Sequence, residues 1–400
     1  MPHLKKEFEN KAYEMDLETI LVLQGGGSLG AYECGVYKAF YKNGIEFDIL
    51  AGSSIGAINA SIITAVQNSN KNAAELLESF WLTLSENINP SDLNFDLPFL
   101  SYDKRMALWA SMCSMTYGNL RAFMPKWFIP DSPFYFDPSK WTYLYDLTPL
   151  KKTLKDFIDF ESLEKINPDK EKNRHKNGKG KHNLSRLIIT STDMQKGEPV
   201  IFDNAHMNID VNMIAACAGY PFYGLKWTII DGRYLWDGSL LTNTPMMEVM
   251  RASPLKNKKL YIVDVFPRQQ EEIPSNMIEV WHRARDIMFM DKTDTNIEML
   301  KVSEKYLNLL KKMYDIVNSD DAKIDQSTRD KLNQLDSDYR SITQSHGAAI
   351  MDVVRIGRKE RDSHYLFEDA DFSKYRIQKL IEEGEKDAEF KLKKINNGVK

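Results

Sequence analysis

The feature that most constrains the fold is a repeated strand, glycine turn and helix pattern in residues 19–67. Residues 19–23 are a short apolar run typical of a buried strand, and a glycine-rich stretch follows directly. A helical pattern over Ala31–Asn43, an apolar stretch over 45–51 and an apolar helix over Ile55–Gln67 complete the unit. Strands that alternate with helices pair in parallel, because each helix returns the chain to the same edge of the sheet. The sequence therefore predicts an α/β fold.

Composition limits the partners and the compartment. The net charge is −4 and 42% of the residues are hydrophobic, which is typical of a globular chain and gives no electrostatic reason to expect nucleic acid. Cys34, Cys113 and Cys217 show neither disulfide-framework nor zinc-ligand spacing. The sequence has no apolar run of signal-peptide or membrane-spanning length. We therefore expect a cytoplasmic protein whose membrane contact is at most peripheral.

The rest of the chain changes in character along its length. Residues 90–148 are rich in aromatic residues and methionine, and they predict a cap on the sheet, with a lid or lipid-facing surface as a compatible alternative. Residues 165–186 are polar and basic and predict a solvated insertion. From about Asn276 onward a charged helical pattern prevails. Further strands are predicted at 184–191, 199–202 and 260–266.

A Gly-x-Ser-x-Gly motif spans residues 52–56, between a predicted strand and a predicted helix. Gly52 and Gly56 flank Ser54 because the turn is so sharp that larger side chains beside the serine would clash. The turn lifts the Ser54 hydroxyl above the sheet edge at a helix N-terminus, whose partial positive charge favours an alkoxide-like nucleophile. The alternative is a plain tight turn, since the pentapeptide occurs often by chance. The strand–turn–helix context favours a nucleophile.

A second glycine turn, Gly25-Gly26-Gly27-Ser28-Leu29-Gly30, lies between the first strand and the first helix. Consecutive N–H groups at glycines can converge on an anion, and the helix dipole adds to the attraction. In an acyl hydrolase this anion is the oxygen of the tetrahedral intermediate, so the loop predicts an oxyanion hole. The alternative is a dinucleotide-binding Gly-x-Gly-x-x-Gly of an oxidoreductase, with Asp48 as the ribose-binding acid. Asp48 precedes three more strand residues instead of ending the strand, which disfavours that alternative.

A serine nucleophile needs a base. The seven histidines are His3, His175, His182, His206, His282, His346 and His364. None is flanked by small residues in a late strand-end loop, where a Ser-His-Asp hydrolase would place one. Asp237 is a candidate, because a carboxylate acts as a base when burial raises its pKa and it reaches the hydroxyl. Asp231, also followed by glycine, is its rival, although Asp-Gly is most often a turn.

Three motifs together resemble those of patatin-like phospholipases. In chain order they are Gly25-Gly26-Gly27-x-x-Gly30, Gly52-x-Ser54-x-Gly56, and Asp237-Gly238 followed by Asn243-x-Pro245. In that family these elements are the oxyanion loop, the nucleophile elbow and the aspartate of a Ser–Asp dyad that works without histidine. The resemblance assigns the base role to Asp237 rather than Asp231, with Gly238, Asn243 and Pro245 as its supporting motif.

The resemblance also implies the architecture. We expect a three-layer α/β/α patatin-like fold with a mainly parallel central sheet, an acyl hydrolase domain over residues 18–268 and a helical C-terminal extension over 269–400. The extension is expected to pack on the first domain or to mediate self-association. It is similar to that of a bacterial-type subgroup whose C-terminal region has no characterised role. The residues that carry this second similarity are Tyr145 to Leu150, Asp371-Phe372-Ser373, Gly384 and Asp387-Ala388.

The activity implied is hydrolysis of a lipid ester through an acyl-enzyme on Ser54, with no metal and no organic cofactor. Leu29 stands where many members carry a basic residue, and Ser239 stands where glycine or alanine is commoner. Neither departure removes a reacting group. Two alternatives stay open, a Ser-His-Asp esterase and a non-catalytic lipid-binding protein of the same fold. The sequence selects neither the acyl substrate nor the oligomeric state.

Overall fold

A computed structural model of the chain describes residues 17–69, 71–85, 102–129, 136–166, 184–270, 273–290, 293–318, 325–346, 348–359 and 368–397. The chain folds into two compact units. The larger unit comprises residues Leu21–Pro245, Ile262–Asp291 and Arg355–Lys400, and the smaller comprises Met1–Ile20, Met246–Tyr261 and Lys292–Val354. All the predicted site residues belong to the larger unit.

The strands within the described residues form one large and one small sheet. They are β1 (Leu17–Leu23), β2 (Ile49–Ser53), β3 (Met124–Pro125), β4 (Tyr145–Asp146), β5 (Arg186–Asp193), β6 (Glu198–Asp203), β7 (Thr228–Ile230), β8 (Arg233–Asp237), β9 (Asn257–Asp264) and β10 (Ile350–Gly357). The eight-stranded sheet has the order β10-β9-β1-β2-β5-β8-β7, with β6 paired to β5, while β3 and β4 pair separately. β2 runs parallel to β5, whereas β6 and β8 join β5 antiparallel. The end of β2, which leads into the serine turn, therefore lies next to β5 and one strand away from the end of β8.

The α-helices of the described residues follow the glycine turns or lie between strands. They are α1 (Ala31–Lys42), α2 (Ile55–Asn68), α3 (Ala73–Ser85), α4 (Tyr102–Tyr117), α5 (Thr148–Phe157), α6 (Val211–Cys217), α7 (Met246–Ala252), α8 (Met277–Phe289), α9 (Thr293–Val317), α10 (Gln326–His346) and α11 (Lys374–Asn396). None of them is long and apolar enough to cross a bilayer.

Burial explains the elements that carry the site. Every residue of α2 except Gln67 is buried, as expected of a helix that lies within the core instead of at its surface. β1 and β2 are likewise buried along the residues that lead into the glycine turns, as expected of strands covered on both faces. The two turns therefore start from a rigid core.

The C-terminal helix α11 packs on α1 within the larger unit. Two glycines allow the close approach, because a Cβ on Gly35 would overlap the carbonyl oxygen of Ile381, and a Cβ on Gly384 would overlap that of Tyr32. The Tyr32 hydroxyl also donates to Asp387 Oδ2 at 3.0 Å. In the smaller unit, the ring of Tyr314 on α9 stacks on that of Tyr339 on α10.

The structure confirms the predicted α/β fold with a mostly parallel central sheet and a helical C-terminal region. The strands differ in detail. The strand predicted over 45–51 begins at Ile49, and the sequence predicts neither β7 and β8 nor β10, the edge strand that the extension contributes. The predicted domain boundary between residues 268 and 269 stays a prediction. Of the predicted cap, residues 90–101 and 130–135 lie outside the described residues, as do 167–183 of the polar insertion.

Candidate active site

The serine turn is sharp and its backbone is strained. Ser54 has φ 52° and ψ −125°, a left-handed conformation that is costly for a residue with a side chain. A Cβ on Gly52 would overlap the carbonyl oxygen of Gly56, and a Cβ on Gly56 would lie 2.5 Å from that of Leu23. Both glycines are therefore required by space, as the sequence predicts. The conformation presents the Ser54 side chain at the N-terminus of α2.

Ser54 and Asp237, which are 183 residues apart, meet at this turn. The Ser54 hydroxyl donates a hydrogen bond to Asp237 Oδ2, with an Oγ–Oδ2 distance of 2.6 Å. Asp237 is fully buried. Burial raises the pKa of Asp237 from 3.8 to about 6, against the opposing effect of hydrogen bonds from Ser54 and Ser239. The carboxyl is therefore mostly ionised at neutral pH and basic enough to accept a proton.

The backbone around Asp237 fixes its side chain. Asp237 ends β8, and its Oδ1 accepts a hydrogen bond of 2.8 Å from the N–H of Ser239. Its carbonyl oxygen accepts from Thr192 Oγ1 at 2.9 Å, and its N–H donates to Gly219 O at 3.1 Å. A Cβ on Gly238 would overlap the carbonyl oxygen of Thr190, so that position too requires glycine.

The rival aspartate has a different role in the structure. Asp231 and Gly232 are the two residues between β7 and β8, and both have positive φ, 50° and 74°. This is the backbone of a two-residue hairpin turn. Asp231 is exposed and does not line the cavity that contains Ser54.

The glycine loop lies beside Ser54. A Cβ on Gly25 would lie 2.8 Å from Ser54 Cβ and 2.5 Å from Asn243 Oδ1. The N–H of Gly25 donates to Asn243 O at 3.3 Å, whereas the N–H groups of Gly26 and Gly27 have no acceptor among the described residues. Both glycines lie on the wall of the cavity that contains Ser54.

The other predicted supporting residues are placed around the loop. A Cβ on Gly30 would lie 2.7 Å from the Ile55 side chain, so Gly30 serves close packing between the two turns. Asn243 Nδ2 donates to Phe289 O at 2.9 Å and to Gly25 O at 3.3 Å. Pro245 directly precedes α7. Asn243 therefore contacts the glycine loop and lines the cavity that contains Ser54, whereas Gly30 and Pro245 do not line it.

Gln24 is a bracing residue that the sequence analysis does not single out. Its buried side chain accepts a hydrogen bond of 2.9 Å from Val265 N–H and donates to Thr244 Oγ1 at 3.2 Å and to Phe289 O at 3.1 Å. Its own N–H donates to Glu33 Oε1 at 2.7 Å. The only signal in the sequence is a polar residue between an apolar strand and a glycine loop. A buried side-chain amide at such a position can form hydrogen bonds with polar groups of several segments at once.

A cavity of about 140 Å³ opens on these groups. Ser54, Gly25, Gly26, Gly27, Ser239 and Asn243 lie on its wall. The rest of the wall is mainly aliphatic and aromatic, including Ile58, Leu84, Phe123, Tyr145, Leu150 and Phe266. An apolar cavity of about 150 Å³ admits a group the size of benzene, so this one can hold part of an acyl chain next to the serine.

Other catalytic groups are not evident in the described part of the chain. His206 and His282, the histidines whose side chains the structure describes, do not line the cavity. His3, His175, His182 and His364 lie outside the described residues. Across the described residues, no three His, Cys, Asp or Glu side chains are arranged to hold a metal ion.

The α/β fold thus brings a strained serine, a buried carboxylate and a glycine loop together next to an apolar cavity. In a comparison with protein families, the profile described as Patatin-like phospholipase matches residues 21–250 of the 400. The chain therefore belongs to the patatin-like phospholipase family, whose members hydrolyse lipid esters. A second profile, described as Patatin phospholipase, matches residues 287–397.

The chain was also compared with individual protein sequences and solved structures. No curated protein sequence matches the chain. Among solved structures, VipD from Legionella pneumophila aligns at 12% identity and a TM-score of 0.36, covering 94% of this chain and 67% of VipD. The type III effector ExoU aligns at 13% identity and a TM-score of 0.28, covering 95% of this chain and 53% of ExoU.

Proposed function

We propose that the protein hydrolyses fatty-acyl esters of lipids through an acyl-enzyme on Ser54, with Asp237 as the general base. The observation that carries this proposal is the 2.6 Å hydrogen bond from the Ser54 hydroxyl to the buried Asp237 carboxylate. A serine hydroxyl is a weak nucleophile until an adjacent base can take its proton. No side chain other than Asp237 in the described residues accepts a hydrogen bond from this hydroxyl, so the carboxylate is the base that the geometry supports best.

The reaction proceeds in two halves. As Ser54 Oγ attacks the ester carbonyl carbon, Asp237 takes the hydroxyl proton, and the N–H groups of Gly26 and Gly27 bind the oxyanion. The intermediate then collapses, the bond to the alcohol oxygen breaks, and Asp237 returns the proton to the leaving alcohol. In the second half, Asp237 takes a proton from water, the hydroxide attacks the acyl carbon, and Ser54 leaves with the proton as free acid forms.

The cavity wall supports a lipid substrate. Its aliphatic and aromatic side chains favour a hydrocarbon chain over water. An ester bound with its acyl chain against Phe123 and Leu150 would have its carbonyl near Ser54. The same wall gives no reason to prefer one headgroup, so phospholipids, lysophospholipids, glycolipids and glycerides belong in one test panel.

A peripheral membrane contact fits the surface next to the cavity. Phe128, Leu144 and Phe222 are large apolar side chains with exposed fractions of 54%, 43% and 78%. The Phe222 ring lies 5.6 Å from that of Tyr220, a cavity residue. Exposed aromatic and aliphatic groups suit the interfacial region of a bilayer, so lipid could enter the cavity without fully leaving the membrane.

Hydrolysis of the lipid panel by the wild type, Ser54→Ala, Asp237→Asn and Asp231→Asn tests the proposal. We expect the first two variants to lose activity by several orders of magnitude, because a nucleophile and its base act as one unit. Asp231→Asn is the matched control, since it alters the other Asp-Gly and should keep wild-type activity. Full activity in Ser54→Ala would overturn the proposal, and lipid binding without hydrolysis by the wild type would favour a non-catalytic lipid-binding protein.

A further inference from the structure

We infer that the turn Glu368–Ala370 is part of the active site, where it holds the glycine loop in the position that binds the oxyanion. This turn lies beyond residues 21–250, the part matched by the hydrolase profile, and within the region 287–397 matched by the second profile. The inference rests on the proposed function of Ser54 and Asp237. It gives the C-terminal region a role in the reaction itself.

The turn and the loop are in direct contact. Gly27 has φ +58°, and a Cβ there would overlap the carbonyl oxygen of Asp369. The Ser28 hydroxyl donates to the carbonyl oxygen of Glu368 at 3.2 Å. A Cβ on Gly26 would lie 2.5 Å from Val265 Cγ2. The loop therefore packs closely against both Val265 and the C-terminal turn.

The turn also forms part of the wall that faces the substrate. Asp369, Ala370 and Phe372 line the same cavity as Ser54. The Tyr223 hydroxyl, from another part of the cavity wall, donates to Asp369 Oδ2 at 2.6 Å. Without these C-terminal residues, the cavity would be open on the side of the loop.

A buried cluster of charges fixes the turn. The Arg285 side chain is 2% exposed, with Nη1 3.5 Å from Asp369 Oδ1 and Nη2 3.6 Å from Glu368 Oε2. Glu368 also pairs with Arg358, at 3.0 Å, and with Arg376. Buried ion pairs contribute little net stability, because desolvation opposes their attraction, but moving one partner away leaves the other charge buried and unpaired. The cluster therefore favours one position of the turn.

Position matters here because an oxyanion hole works over a narrow range. Its donors act when they lie about 2.7–3.1 Å from the developing charge. A displacement of about 1 Å can lower the rate about 100-fold. Glycine can adopt many backbone conformations. The residues that pack against the loop therefore determine the direction of the Gly26 and Gly27 N–H groups.

Two small substitutions separate this role from general stabilisation. Ser28→Ala removes the hydrogen bond to the turn, and Asp369→Asn removes the charge facing Arg285 while leaving an acceptor for Tyr223. The matched controls are Ser61→Ala and Asp203→Asn. Ser61 is a buried serine that donates to a helix carbonyl at 2.7 Å, and Asp203 is a buried carboxylate paired with an arginine away from the cavity.

The full-length variants are compared by lipid hydrolysis, by the rate and stoichiometry of labelling with a fluorophosphonate, and by thermal unfolding. We expect Ser28→Ala and Asp369→Asn to lower kcat about 10- to 100-fold with KM unchanged. Labelling should still reach one group per molecule, at a rate reduced by a similar factor. The two controls should keep the wild-type rate constants even where they lower Tm.

A merely structural turn would give a different pattern. The labelled fraction would fall together with Tm, and the rate constant per folded molecule would stay at the wild-type value, which would overturn the inference. Wild-type kcat in both variants would also overturn it. Failure of the proposed function is seen separately, because in that case the wild type would not be labelled at Ser54.

Discussion

Replacing Asp237 with asparagine should make the fold more stable while it removes the activity. The carboxyl is fully buried, and its pKa is raised from 3.8 to about 6. A tenfold change in an acid dissociation constant corresponds to about 1.4 kcal/mol. The ionised carboxylate therefore destabilises the folded state by about 3 kcal/mol above pH 6. Asparagine keeps the shape and an acceptor for the N–H of Ser239, but carries no charge.

The sign of the effect depends on pH. Below pH 3.8 the carboxyl is protonated in both folded and unfolded chains, so wild type and Asp237→Asn should be equally stable. As the pH rises from 3.8 to 6, the unfolded wild type ionises first, and the wild type loses stability relative to the variant. Urea unfolding followed by tryptophan fluorescence at a series of pH values measures this difference. A variant less stable than the wild type at pH 8, or a difference independent of pH, would refute the reasoning.

Three further predictions follow from the same geometry. Because Asp237 must be ionised to act as a base, kcat/KM should fall about tenfold per pH unit below pH 6 and level off above it; an unchanged rate at pH 5 would contradict this. Gly56→Ala should abolish activity, because the new Cβ would lie 2.5 Å from the carbonyl oxygen of Leu23, whereas Gly44→Ala, which is strained at φ +65° but has nothing within 4 Å of the new Cβ, should keep it, as hydrolysis assays can show. Ser54→Gly should be more stable than Ser54→Ala by about 1–3 kcal/mol, since glycine accepts φ 52°; equal urea midpoints would count against backbone strain.

The sharp turn at Ser54 could be predicted from the sequence because its requirements are local. A sharp turn between a strand and a helix needs glycine at fixed positions on either side of Ser54, and this need appears in the sequence itself. The choice between Asp237 and Asp231 is not local. Both precede glycine, and only the strand order brings the end of β8 near the serine turn while it puts Asp231 in an exposed hairpin turn.

The parts that could not be predicted depend on distant residues. Ser28 contacts the turn at Glu368, which is 340 residues away in the sequence. No local sequence pattern predicts a contact between residues so far apart. The prediction that the second strand starts at residue 45 is wrong for a related reason. Apolar residues indicate burial, but they do not show where hydrogen-bonded strand pairing begins. Phe47 is buried against the ring of Phe40 at 5.4 Å before the paired strand β2 begins.

The proposed mechanism requires that Ser54 bears the acyl group of the intermediate. Labelling of the full-length protein with a fluorophosphonate, followed by peptide mass spectrometry, identifies the reactive residue. We predict one label per molecule on the peptide that contains Ser54, no label in Ser54→Ala, and strongly slowed labelling in folded Asp237→Asn. A label on another serine, or full lipid hydrolysis by the Ser54→Ala variant, would contradict the proposed mechanism.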